Sequence, residues 1–461
     1  MAGSADIRGR QNYVMGIGHP ASEPSAEAYP AMVMTNQQTD GVKLSIAIPR
    51  PLTVVIDGDS ISAQGYSSNA TSLKYNNHGW WVHALYRLKC PLSVASVAAV
   101  SGQTSSQILA RFDSTVAVHK PDEVWAIIGQ NNLGDADGGV QCIADLRAYA
   151  AKCRDIGATL RLGTVTPRAA GSMTAGVKAA ILRINAEIRT MGEQRLCVVF
   201  DAFSAIVDPA SADGAARAGM QYDTLHPNSR GAYYIGFEAA KRSPDLYDNV
   251  IAPSSNADSR LTNATSKQLV ANPKCSGTGG TVGTGGSGAC AASWSLNRQS
   301  GAALTVAGSV NDADPDANIL GRVWQKMTFG GVVASGVEIV RFQQTVTLSS
   351  LAAPVTPGIT KIAKARCFLR TNGLSSNLQY IRMTVEALNS VPTVTYATNG
   401  MADSSYQQTV FPTDEGVLDC PAGFVIPSDT VSLRVTFNVA FGAGTCAGDA
   451  FVTDFDLSVD A

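Results

Sequence analysis

The sequence predicts an α/β protein, a three-layer α/β/α domain with a five-stranded, mostly parallel sheet, followed by an all-β sandwich. Three observations carry this. Between Leu52 and Phe200, short apolar runs alternate with segments of helical period. Beyond about Lys267 the hydrophobic period becomes two. The chain of 461 residues is also too long for one ordinary core.

The elements of the first part follow in order. Leu52 to Ile56 is a buried-strand pattern that runs into Asp57-Gly58-Asp59-Ser60, and Trp81, Leu85 and Leu88 form a helical stripe. Leu92 to Val97 is the second strand, and Leu109, Phe112 and Val116 mark the next helix face. Glu123 to Ile128 is the third strand, and Val140 to Gly157 a helix ended by its glycine. Thr159 to Thr164, the Ile181/Ile184/Ile188 helix and Leu196 to Phe200 complete the series. Near-continuous apolar strands between helices imply a parallel sheet covered on both faces.

After Ser243 the pattern weakens, and the polar stretch 251–266 reads as a linker between a domain at 51–250 and one at 267–461. In the latter, Val431, Leu433, Val435, Phe437, Val439 and Phe441 alternate with mostly polar residues. Val340/Phe342/Val346/Leu348, Ile381/Met383/Val385 and Phe451/Phe455/Leu457/Val459 have the same spacing. The Gly/Thr tract Gly277 to Gly288 predicts a flexible loop. Residues 1–50 receive no domain, although Val42 to Ile48 fits one strand.

Composition narrows the functional classes. With 45% hydrophobic and 16% charged residues the chain is globular, and a net charge of −2 supplies no field to gather nucleic acid. No window approaches the roughly 18 apolar residues of a membrane span. Met1 to Asn12 lacks the apolar run of a signal peptide, so synthesis in the cytosol is expected. Nine cysteines do not suggest a disulfide framework. Cys90, Cys142, Cys153 and Cys197 read as reduced core residues, whereas Cys275 and Cys290 could bridge across the Gly-rich tract. No cysteine or histidine spacing suits a metal.

Gly58-Asp59-Ser60 sits where a parallel strand delivers residues into the ligand-binding crevice. Alone it is better explained by a turn or an N-cap. Asp223-Thr224-Leu225-His226 puts a carboxylate and an imidazole three residues apart, so Asp223 can hold Nδ1–H and leave Nε2 facing a nucleophile. Taken alone, that pair is better read as a helix cap and its cover. Gly102 follows the second strand, and Gly129-Gln130-Asn131-Asn132 the third, bringing the donor types of an oxyanion hole to the same edge. His19, His78, His83 and His119 have no partner at useful spacing and read as structural or surface residues, His83 as packed near Trp81 and Leu85.

Gly58-Asp59-Ser60, Gly102, Gly129-x-Asn131 and Asp223-x-x-His226 resemble blocks I, II, III and V of the SGNH hydrolases, also called GDSL esterases/lipases. The resemblance spans about Leu52 to Ser243. It implies Ser60 as nucleophile, His226 as general base, Asp223 as its orienting group, and Ser60 N–H, Gly102 N–H and Asn131 as the oxyanion hole, with neither cofactor nor metal. Two positions depart from the family pattern. Ile61 stands where Leu is common, and Asn132 where block III usually has Asp, which suggests an altered contact on the substrate side.

The part from Lys267 resembles, more loosely, jelly-roll carbohydrate-binding modules, through Gln268 to Pro273 and Val452 to Leu457. Trp294, Trp324, Tyr380, Tyr396 and Tyr406 are then the candidate sugar-facing aromatics. A sandwich that oligomerises with its own copies is the alternative role. An SGNH unit joined to a β-sandwich also resembles bacteriophage tail-spike esterases, implying a virion-associated trimer acting on acetylated polysaccharide. The first functional expectation is therefore a carbohydrate O-acetylesterase. The alternatives are a lipase or thioesterase for longer acyl chains, and a non-catalytic glycan-binding or virion-structural protein.

Overall fold

The structure is a computed structural model of the chain. It describes residues 52–69, 72–89, 92–241, 259–311, 323–388, 394–400 and 411–460. Val42 to Ile48, His19, Cys90 and Tyr406 lie outside these residues.

The α/β half runs β1 (Leu52–Gly58), α1 (Ser60–Ala63), β2 (Tyr66–Asn69), β3 (Ser72–Tyr75), α2 (Trp80–Arg87), β4 (Leu92–Val97), α3 (Ser105–Thr115) and β5 (Glu123–Ile127). It continues with α4 (Val140–Asp155), β6 (Thr159–Gly163), α5 (Ala175–Glu193), β7 (Val198–Phe200), α6 (Ala202–Ile206) and α7 (Ser229–Lys241). Five strands form one sheet in the order β4-β1-β5-β6-β7. Val54, Val55 and Ile56 are fully buried, as a strand covered on both faces requires. In the parallel register Gly58 pairs with Ile127, and Ile127 with Gly163. The loops after these strands therefore leave the sheet at one level. The β2–β3 hairpin is an insertion that the hydrophobic pattern does not announce.

The β half contains β8 (Thr281–Val282), β9 (Gly286–Gly288), β10 (Ser295–Ser300), β11 (Thr305–Asn311), β12 (Trp324–Gly330), β13 (Val332–Val333), β14 (Glu338–Thr347) and β15 (Lys361–Asn372). Then come β16 (Leu378–Leu388), β17 (Val394–Gly400), β18 (Asp414–Asp419), β19 (Phe424–Val425), β20 (Ser432–Phe441), β21 (Gly444–Thr445) and β22 (Asp449–Val459). Two mixed sheets, β17-β16-β20-β14-β10-β8 and β18-β15-β22-β12-β11-β9, share one apolar core and resemble a sandwich.

Several expectations need correction. The Gly277–Gly288 tract is not a loose loop. Its β8 pairs in parallel with β10, and its β9 in parallel with β11. Gly288 has φ +78, and a Cβ there would lie 2.2 Å from the Gly308 carbonyl oxygen, so only glycine allows this approach. In β22 the alternation changes phase. Ala450 and Val452 are fully buried, then Phe455 and Leu457, because Asp454 adopts φ 47 and two residues face one of β15. Phe451 thus leaves the core and packs edge-on to Trp324, with Lys326 5.4 Å from its ring centroid. Trp294 and Trp324 are both buried, so neither offers a sugar platform. Of the stretch read as a linker, 259–266 is pinned to the sandwich. Arg260 N–H donates to Gln268 O and its side chain to Ala353 O and Ser266 O. Cys275 and Cys290 are buried free thiols, as are Cys142, Cys153 and Cys197.

The two halves meet at α2, α7 and β18. Arg87 and the Tyr233 hydroxyl both donate to the Asp414 carboxylate at 2.9 Å. Lys89 pairs with Glu415, and the Tyr86 hydroxyl donates to Leu369 O.

Candidate active site

Gly58 closes β1 with φ +124, and a Cβ there would lie 2.3 Å from the Ile127 carbonyl oxygen. The chain can therefore turn sharply beside β5 and present Ser60 as the first residue of α1. The Asp59 carboxylate caps that helix, accepting from Ile61 N–H at 3.0 Å. As the first helical residue, Ser60 keeps its N–H outside the intrahelical ladder. Below, the buried Asp57 accepts from Gly58 N–H (2.7 Å), Arg111 (2.6 Å) and the Tyr149 hydroxyl (2.6 Å). The Trp80 and Trp81 indoles hold Ser62 from the other side. The nucleophile candidate stands on a clamped turn.

Ser60, His226 and Asp223 come together. His226 Nε2 lies 2.9 Å from Ser60 Oγ, and Nδ1 lies 2.7 Å from Asp223 Oδ2. The second oxygen of Asp223 accepts from the backbone N–H of Leu225 (2.7 Å) and His226 (2.6 Å), fixing the loop that carries both side chains. Burial raises the Asp223 pKa, but the hydrogen bonds from His226 and Leu225 outweigh it and hold the carboxyl below its ordinary value. The carboxylate is thus ionised and oriented toward Nδ1.

Gly102 has φ +81, and its N–H makes no hydrogen bond among the described residues. Asn131 donates one Nδ2 hydrogen to Gln103 O at 2.9 Å, which orients the amide and leaves its second hydrogen to donate. Asn132 is turned inward, correcting the expected contact on the substrate side. It is buried, accepts from Ser105 N–H (3.0 Å) and donates to Asp135 (2.9 Å). An amide serves there because it must give and take at once.

Spacing alone missed other residues. The Tyr222 ring stacks on His226, with centroids 5.7 Å apart and planes inclined by 10°. His78, expected to have no partner, stacks against the same tyrosine at 5.1 Å. Gln64 donates to the Tyr222 hydroxyl at 2.5 Å. The place of Tyr222 beside Asp223 is the only hint of this in the sequence. His83 is buried, edge-on to Tyr233, as its position beside the apolar face predicts. Asp59, read only as part of a motif, is fully buried, and burial pushes its carboxyl from 3.8 up to about 6 against the N–H groups of Ile61 and Gln130. A raised carboxyl contributes stability that is complete below about pH 4 and is lost as pH rises through 6. Wild type is therefore expected to lose stability relative to Asp59→Asn as pH rises from 4 to 6. Urea unfolding measures it, and a constant difference would contradict the shift.

Residues 58–233 match the family model described as GDSL-like Lipase/Acylhydrolase. This segment is a GDSL-like lipase/acylhydrolase domain. It accounts for less than half of the chain, and the β-rich region beyond it lies outside the match. Among solved structures, the chain is similar to a G-D-S-L family protein from Desulfitobacterium hafniense, with 21% identity and TM-score 0.33, over 41% of this chain and 98% of that one. It is similar to a GDSL-like lipase from Bacteroides thetaiotaomicron, with 19% identity and TM-score 0.33, over 41% and 86% of the two chains. It is also similar to Axe2, an acetylxylan esterase from Geobacillus stearothermophilus, with 18% identity and TM-score 0.34, over 42% and 94%. No curated protein matches the chain. Among the described residues of the GDSL-like domain and the β half, no helix is long and apolar enough to cross a membrane, and no cluster suits a metal ion.

Proposed function

We propose that the protein is a serine esterase that removes short acyl groups, foremost acetyl groups carried on a polysaccharide. The observation that carries this reading is the series Ser60 Oγ, His226 and Asp223, joined at 2.9 and 2.7 Å.

In this reading His226 Nε2 takes the Ser60 proton as Oγ bonds to the ester carbonyl carbon. Ser60 N–H, Gly102 N–H and the Asn131 amide donate to the oxygen that gains the charge. The imidazolium, steadied by Asp223, returns its proton to the departing alcohol as the carbon–oxygen bond breaks. Water then gives a proton to His226 and its oxygen to the acyl carbon, and the acid leaves as Ser60 regains its hydrogen. Every step uses groups the chain supplies.

Two features support a short acyl group on a carbohydrate alcohol. The residues grouped about His226 (Gln64, His78 and Tyr222) are polar or amphipathic rather than the aliphatic wall that a long chain needs. Tyr222 is also half exposed, so the imidazole stands near the surface, where a large polymer can reach it. The test is a para-nitrophenyl ester series from acetate to palmitate, with mass spectrometry of an acetylated polysaccharide before and after incubation. Acetate is expected to give the highest kcat/KM, and the polymer to lose 42 mass units (about one acetyl group) per event. A maximum at palmitate, with an unchanged polymer, assigns the site to lipids.

A further inference from the structure

The sheet β17-β16-β20-β14-β10-β8 has an inner face in the core and an outer face turned away from it. On the outer face a cavity of about 300 Å³ is lined by Gln299, Arg341, Tyr380, Arg382, Thr384 and Asn438, among others. A sheet face that simply met water would leave its polar residues wet, and one covered by core would be apolar. This face does neither. Thr436 is fully buried, and Asn438 and Thr384 are each 5% exposed. They are satisfied locally, Asn438 donating to Thr436 Oγ1 at 2.9 Å and accepting from Arg341 Nε at 3.1 Å. The floor of the cleft is a buried, hydrogen-bonded polar layer.

Its walls are cationic. In the register, Asn438 of β20 pairs with Arg341 of β14 on one side and Arg382 of β16 on the other. The two arginine backbones therefore lie about two strand spacings, ~10 Å, apart. Glu386, which also lines the cleft, is engaged by Arg434 at 2.5 Å. Among the described residues neither Arg341 nor Arg382 has a carboxylate partner at ion-pair distance. Arg382 lies 3.9 Å over the Tyr380 ring, and its Nε is buried without an acceptor among the described residues. Burial holds Arg341 below the ordinary guanidinium value. A buried guanidinium N–H left without an acceptor is costly unless a ligand supplies one.

We propose that this cleft binds an anionic saccharide, seating the carboxylate of a uronic-acid residue between Arg341 and Arg382. The planar guanidinium fork matches a carboxylate, and Tyr380 and Gln299 offer partners for ring hydroxyls. The volume suits one sugar residue of a longer chain. The site is separate from Ser60, and its occupancy does not depend on ester cleavage.

The test is isothermal titration calorimetry of the full chain with trigalacturonate, with its fully methyl-esterified neutral form, and with inorganic sulfate. Trigalacturonate is expected to bind, and the neutral form at least about tenfold more weakly. Arg382→Gln is expected to lose at least about tenfold in affinity, while Ser60→Ala binds as wild type. Gln299 is exposed at the mouth, so Gln299→Glu leaves the buried layer intact and should weaken binding through like charge even if Arg382→Gln fails to fold. Three results would each overturn the proposal: equal binding of the neutral form, competition by sulfate as effective as trigalacturonate, or no weakening in folded Arg382→Gln or Gln299→Glu.

Discussion

Replacing Ser60 with alanine is expected to lower kcat for para-nitrophenyl acetate at least about 10⁴-fold while leaving the unfolding midpoint unchanged. The hydroxyl bonds to His226 and its loss removes a single oxygen atom, so fold and chemistry are expected to separate. Adding His226→Ala to Ser60→Ala should cost little more, because the two act as one unit. Stopped assays on purified variants measure this, with calorimetry as the control. Equal rates for wild type and Ser60→Ala would remove Ser60 as nucleophile.

The second large effect concerns stability. Asp414 lies at the seam of the two halves with its side chain 6% exposed, accepting from Arg87 and from Tyr233. Asp414→Ala leaves a guanidinium and a phenol facing an empty acceptor position. Breaking one partner of a buried pair typically costs 3–5 kcal/mol, and Arg87 keeps a third of its side chain in water, so about 3 kcal/mol is expected. Denaturant unfolding measures it. Asp414→Asn, which retains one acceptor, should recover part of the loss. An unchanged midpoint in the alanine variant would show that the carboxylate contributes nothing net.

The parallel sheet was legible because each strand is an apolar run ended by the residue that turns the chain. Leu92 to Val97 and Thr159 to Gly163 fall where the pattern places them. The convergence of the candidate site residues was legible for a related reason. Ser60 and Asn131 each follow a strand of one sheet, and a parallel register brings such ends to a common edge. What stayed hidden depends on backbone conformation and contacts that spacing does not encode. Phe451 changes face because of one left-handed residue, Asp454, and period-two spacing cannot see a bulge. His78 meets Tyr222 across 144 positions of chain, a contact with no spacing rule. Asn132 looked like a change toward the substrate because its inward partners, Ser105 and Asp135, are chosen by the fold.

The glycine-rich tract has a consequence for how this chain can vary. Low-complexity runs commonly gain or lose residues between relatives without harm when they serve as spacers. Here only residues 283–285 separate a strand committed to one sheet from a strand committed to the other. Deleting one residue would slide one of those pairings, and a slide by a single position reverses which way every side chain points. A stretch that looks indifferent to its own length therefore works as a measured stitch.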